Sequence, residues 1–293
     1  MMARYGFLAC AGLWLLCGSC KKDALADNAG TNAAPAMQSS AAGASGLLQT
    51  EGANNSWWVN WDNYADGMYP DADAQLDFGN ASGWVNSRAW ISSGSLRVRL
   101  SPRTLSAAGG IISNIEIADG SAYELDYDLR FHSLFDWSRG GKLGFGFLIG
   151  DGNTGGNPAW DGNGGSIRLI WYQTTAGRVY FQPYLYYKDQ PGQDGNNFGL
   201  TYPATGSLSR GKWYHVHLYV KSNTGSNTNG RALLAINGTV LLDTPIRWTT
   251  NDSKRLIRSL SFHTFRGGST PDYESATLGY IYYDNLKLHK ISN

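Results

Sequence analysis

The sequence predicts an all-β protein: a jelly-roll β-sandwich of two antiparallel sheets. Three observations carry that expectation. Apolar and polar residues alternate with period two in many short segments, glycine-rich turns separate those segments, and helical periodicity is absent beyond the first twenty residues. Composition agrees, with 37 Gly, 17 Tyr and 11 Trp among 293 residues; aromatic side chains offer flat faces to sugar rings. The balance of 24 Lys+Arg against 23 Asp+Glu argues against nucleic acid or an anionic membrane held through bulk charge.

The first segment reads as an export signal. Arg4 precedes the apolar run FLACAGLWLL (7–16), which is too short to span a bilayer. It ends in LLCGSCKKD, which resembles a bacterial lipoprotein signal covering residues 1–19, with Cys20 as the acylated residue and Cys17 where an aliphatic residue is usual. All three cysteines lie here (Cys10, Cys17, Cys20), so the remaining chain is expected to hold no disulfide. Residues 20–54 are mostly Ala, Ser, Gly and Asn and cannot bury a core. As a flexible tether they would reach roughly 30–35 Å. The expected product is an exported lipoprotein, anchored to a membrane on its periplasmic or cell-surface side.

Residues 55–293 form one domain. In ELDYDLRF (124–131), Leu125, Tyr127, Leu129 and Phe131 face the core, opposite Glu124, Asp126, Asp128 and Arg130. In WYHVHLYV (213–220), Tyr214, Val216, Leu218 and Val220 are the inward set, leaving His215 and His217 on a solvated outer face. Asn237-Gly238 inside RALLAINGTVLLD (231–243) signals a type I′ hairpin, and SLSFHTF (259–265) and YIYYDNLKLHK (280–290) complete the set. Two strands are less ordinary. GGSIRLIWY (164–172) places Ser166 and Arg168 opposite Ile167, Leu169 and Trp171. RVYFQPYLYY (178–187) places Arg178, Tyr180, Gln182, Tyr184 and Tyr186 on one face. A simple solvated face favours Lys, Glu, Thr and Ser; this one is a platform for a polar, ring-shaped ligand.

Several blocks in order carry a resemblance: YELDYDLRF, FDWSRGGKLGFGF, GGSIRLIWY, GRVYF, SRGKWYHVHLYV, AINGTVLL and FHTFRGGSTPDY through YIYYDNLKL. Together they resemble polysaccharide lyase family 14, the alginate-lyase-like jelly rolls, with glucuronan lyases as related neighbours. The resemblance implies a concave glycan-binding groove in the sandwich, with Lys142, Ser166, Arg168 and Tyr180 lining it and carrying catalysis. The family's second tyrosine is replaced by Gln182, and Tyr184 with Tyr186 forms a Tyr-x-Tyr pair further along the same face. Gly144 stands where the family has proline.

A polyuronate lyase removes the C5 proton and expels the O4 substituent. The C5 proton is weakly acidic while the C6 carboxylate is ionised, so a donor or cation must hold that carboxylate. Arg168 suits this because a guanidinium fork matches a carboxylate; Ser166 or Gln182 would add a neutral donor. Tyr180 is the expected base, or base and acid in turn, with Lys142 as the positive field or the proton acceptor. His263 is expected near the groove through the neighbouring RGGS segment. Asp151, Asn153, Asp161 and Asn163 in the loop 150–165 could ligate calcium, but without a regular repeat they read rather as a groove-edge loop. No cofactor is expected otherwise, and the chain is expected to be a monomer. Two rival readings stand beside it: a non-catalytic glycan-binding lipoprotein that uses the same tyrosine face and, more weakly, a glycoside hydrolase, whose carboxylate spacing ELDYD (124–128) resembles without its third acid.

Overall fold

The structure is a computed structural model that describes residues 56–293. The signal at 1–19, Cys20 and the tether at 20–54 lie outside the described residues. The strands follow in chain order: β1 (Ser56–Val59), β2 (Gly67–Met68), β3 (Ala81–Ser82), β4 (Ala89–Ser92) and β5 (Ser95–Leu100). Then come β6 (Ile111–Gly120), β7 (Ala122–Phe131), β8 (Gly140–Gly150), β9 (Gly164–Gln173) and β10 (Val179–Tyr186). The last are β11 (Trp213–Lys221), β12 (Gly230–Ile236), β13 (Thr239–Ile246), β14 (Ile257–Arg266) and β15 (Gly279–Ser292). A nine-stranded sheet runs β13-β12-β11-β7-β15-β5-β4-β2, with β1 also paired to β15, and a six-stranded sheet runs β10-β9-β8-β14-β6-β3. All pairings are antiparallel. This is the jelly-roll sandwich that the alternation predicts.

The core lies between the sheets and joins the inward sets already named to buried aromatic residues of β8 and β10. Leu125, Tyr127, Leu129 and Phe131 meet Phe145, Phe147, Leu169, Trp171 and Phe181, all buried. Many contacts are aromatic: Phe131 lies 4.5 Å from Trp137 and Phe145 4.6 Å from Phe262, centroid to centroid. Each such side chain contributes about 2–3 kcal/mol by leaving water. Asn237 and Gly238 take φ of 50° and 75° between β12 and β13, the backbone that a type I′ turn demands.

The alternation did not reveal one helix, α1 (Asp71–Phe78). It is short and lacks an apolar stripe, and it is held by what it buries. Asp77 is fully buried and accepts hydrogen bonds from the Tyr64 and Tyr69 hydroxyls. Burial pushes its carboxyl up to about 6 against the pull of those donors.

Candidate active site

β8, β9, β10 and β14 turn their outward faces toward a cleft of about 670 Å³. Glycines place the lysine of GGK on its floor. A Cβ on Gly141 would lie 2.1 Å from both the Phe265 carbonyl oxygen and the Trp171 ring, so only glycine lets the three strands close here. Lys142 then stands between Ile170 of β9 and Phe265 of β14. Gly144 has φ 55° and donates its N–H to Thr264 Oγ1 and Tyr283 Oη. Proline could satisfy neither demand, which explains that departure from the family pattern.

Arg168 lies across this floor. It is 3% exposed, and a side chain on Gly146 would meet its Cγ at 3.2 Å. Its guanidinium carbon sits 5.5 Å from the ring centres of both Tyr184 and Tyr186. One terminal nitrogen meets His263 Nδ1 at 3.4 Å, while Nε and Nη2 are buried without a hydrogen-bond partner. No carboxylate pairs with it among the described residues. Each buried donor left unmade costs about 1–3 kcal/mol, so the site is built short of an acceptor.

Lys142 Nζ is 4.8 Å from the Tyr184 ring centre. Burial lowers its ammonium to about 8, helped by the charge of Arg168 and opposed by Asp194. Tyr184 shifts the other way: burial, then Tyr186, pushes its hydroxyl well above the usual range. The cleft thus brings together an amine that sheds its proton near neutrality and a phenol that keeps its own.

Other expected site residues fall into three places. Gln182 and Tyr186 line the cleft with these groups. Gln182 accepts a hydrogen bond from Asn197 at 3.4 Å, leaving its amide NH₂ to donate. The Tyr186 hydroxyl accepts from the Gly156 N–H at 2.9 Å and so ties down the loop at 151–163. Ser166 is fully buried beneath that loop, its hydroxyl donating to the Asn153 carbonyl at 2.7 Å. His263 lies beneath Arg168, with Nε2 3.1 Å from Asn114 Oδ1. Burial and the neighbouring Arg168 and Lys142 charges lower it to about 3, so it is neutral, donates to Asn114 and accepts from Arg168. Tyr180 is outside the cleft lining, packed against Tyr172 at 5.8 Å and under Arg178 at 4.8 Å. Burial and Tyr172 raise its hydroxyl, which outweighs the pull of Arg178 and Arg139.

The comparisons with known proteins decide the family. The polysaccharide lyase 14 model matches residues 92–286. The chain belongs to that family. Among solved structures, the alginate lyase Aly36B is 63% identical to this lyase, covering 82% of this chain and 98% of its own, with a TM-score of 0.80. Aly36B with one lysine and one tyrosine replaced by alanine, solved with an alginate tetrasaccharide, is 62% identical, covering 82% of this chain and 98% of its own, with a TM-score of 0.81. The PL-14 alginate lyase of Aplysia kurodai shares the fold at 20% identity, 77% and 98% coverage and a TM-score of 0.60. A curated relative is exolysin of Paramecium bursaria Chlorella virus 1, 28% identical over 193 residues. That match is 57% of this chain and spans 29% of exolysin.

Sequence reasoning missed Asp194 in this lyase. It lines the cleft and opposes the loss of charge on Lys142. It arrives on the segment DQPGQDGNN (189–197), which has no periodicity to read. The loop carboxylates considered for calcium have partners of their own: Asp151 pairs with Lys254 at 2.6 Å and Asp161 accepts from Asn163. Among the described residues no three His, Cys, Asp or Glu converge on a metal position.

Proposed function

We infer that this lyase cleaves an alginate-type polyuronate by β-elimination, with Lys142 as base and Tyr184 as acid. The observation that carries the reading is the buried Arg168 guanidinium, which has two unmade donors and no protein carboxylate beside a deprotonatable lysine. A substrate carboxylate supplies the missing acceptor. Held by Arg168 and the Gln182 amide, it stabilises the carbanion-like charge that develops at C5. The neutral Lys142 amine takes the C5 proton, and the C5–H electrons become the C4–C5 double bond. The C4–O4 bond breaks, and the Tyr184 hydroxyl gives its proton to the departing oxygen. One chain then ends in an unsaturated uronate and the other in a free hydroxyl. The lysine and tyrosine changed to alanine in the tetrasaccharide-bound Aly36B support assigning these two residue types to the chemistry.

The test is a panel of alginate, glucuronan and neutral glucan, followed by ultraviolet absorbance of the unsaturated uronate. Absorbance growing with alginate supports the reading; binding without a chromophore would mark a non-catalytic glycan receptor, and reducing ends alone a hydrolase. The lipid-anchored placement rests on LLCGSC alone. Radiolabelled palmitate should enter the full chain and be absent from Cys20→Ala.

A further inference from the structure

The sheet opposite the cleft carries a second, unassigned feature. Five cross-strand partners form one row: Trp90, Arg97, Tyr282, Arg130 and Trp213, on β4, β5, β15, β7 and β11. Their chain neighbours Ile91, Val98, Ile281, Phe131 and Tyr214 are buried in the core, so the row points outward. Cations and rings alternate along it. Arg130 sits 4.6 Å from both the Trp213 and Tyr282 ring centres, and Arg97 6.0 Å from Trp90 and 5.1 Å from Tyr280. Arg99, opposite Tyr280, adds a third guanidinium one pair further along.

None of these three arginines has an ion-pair or hydrogen-bond partner among the described residues, and each Nε is buried unpaired. The carboxylates next on this face are already engaged. Asp128 accepts from His215 and Asn285, and Asp284 from the Ser95 hydroxyl and the Asn285 N–H. Hydrogen bonding leaves both carboxylates charged, so three guanidiniums stand against two acids on this stretch, and none of the three is neutralised by direct pairing.

We propose that this Arg–aromatic row binds a strand of anionic polysaccharide, of the class cut in the cleft, at a site separate from the cleft. The ligand class rests on the lyase reading. Aromatic faces hold the guanidinium planes fixed, so binding a carboxylate costs them little further freedom. Arg97 and Arg130 flank one strand, which separates them by about 10 Å, a spacing suited to carboxylates recurring along a sugar chain. Half-exposed Trp90 and Trp213 at the ends of the row offer ring surface to the same ligand. Held there, the lyase would stay on a polymer while its cleft works on another segment.

The test uses Lys142→Ala to stop cleavage and compares it with the same protein carrying Arg97→Gln, Arg99→Gln and Arg130→Gln. The expected result is about tenfold weaker binding to long alginate with a smaller salt dependence. On the Lys142 background, the three substitutions should leave kcat/KM on an alginate tetrasaccharide unchanged. Unchanged affinity for long alginate in the folded variant overturns the proposal, as does equal retention of a neutral glucan. Binding of a polynucleotide but not alginate overturns it as well. Should the triple variant not fold, hydrogen exchange of Lys142→Ala with long alginate decides: protection over 95–100 and 279–283 supports the site, and its absence rejects it. Loss of the chromophore from the unsubstituted protein would instead mark failure of the lyase reading.

Discussion

The Lys142 amine stands 4.8 Å from the centre of the Tyr184 ring, and the two groups are displaced in opposite directions on the proton scale. Lys142 comes down to about 8 through burial and Arg168, and Tyr184 goes up through burial and Tyr186. The base must be neutral and the acid protonated, so kcat/KM should rise with pH through about 8 and then level off. Lys142→Arg fixes the charge and should lower kcat by ~10²-fold or more. A profile flat from pH 6 to 10 on a confirmed substrate would remove Lys142 as the base.

The two tyrosines expected to matter should separate cleanly. Tyr184→Phe keeps the ring beside Lys142 and deletes only the hydroxyl, so turnover should fall by ~10²–10⁴-fold with little change in KM. Tyr180→Phe, outside the cleft lining, should stay within about threefold of the parent. The reverse ranking would return the proton transfer to Tyr180.

Arg168 and His263 should show a graded pair of effects. Arg168→Lys keeps one charge and loses the planar fork, raising KM and lowering kcat together. His263→Phe removes the imidazole that accepts from Arg168, so KM should rise about fivefold as the fork loosens. Because His263 is neutral, the rise of kcat/KM near pH 8 should keep its position. A shift of that rise by a full pH unit would show that the histidine acts through charge instead.

Asp77 sets a stability trend remote from the chemistry. Its folded carboxyl titrates at about 6 against an ordinary 3.8. The folded state therefore binds more protons between these values, and stability should fall as pH rises from about 4 to about 6. The full effect is on the order of 3 kcal/mol. Asp77→Asn should flatten this trend, measured as the difference in urea midpoints between pH 4.5 and 7. Equal differences in the two proteins would refute the assignment.

Period-two alternation made most of the sandwich legible, because each strand has one face in the core and the other out. It also placed Arg168, Gln182, Tyr184 and Tyr186 on the working face. Alternation does not say which stretch of that face lies open. Ser166 shares the face of Arg168 yet lies under the loop at Asn153, and Tyr180 shares the face of Tyr184 yet lies beside the cleft. Those outcomes depend on loops, and the segment that delivers Asp194 has no pattern. The helix at Asp71–Phe78 escaped because its buried anchor is a carboxylate held by tyrosines.

Between the Lys142–Ile170 and Phe147–Ile167 pairs, β8 advances five residues while β9 advances three. The surplus is even, so side chains keep their faces: Leu143, Phe145 and Phe147 remain in the core while Lys142 stays in the cleft. The hairpin therefore has a parity. Losing or gaining one residue between Gly141 and Phe147 would rotate the lysine into the hydrophobic layer and offer a phenylalanine to the sugar. A change of two would preserve the frame. Length variation in this segment should thus be quantised in pairs, a constraint on insertions that no substitution scan of the site would expose.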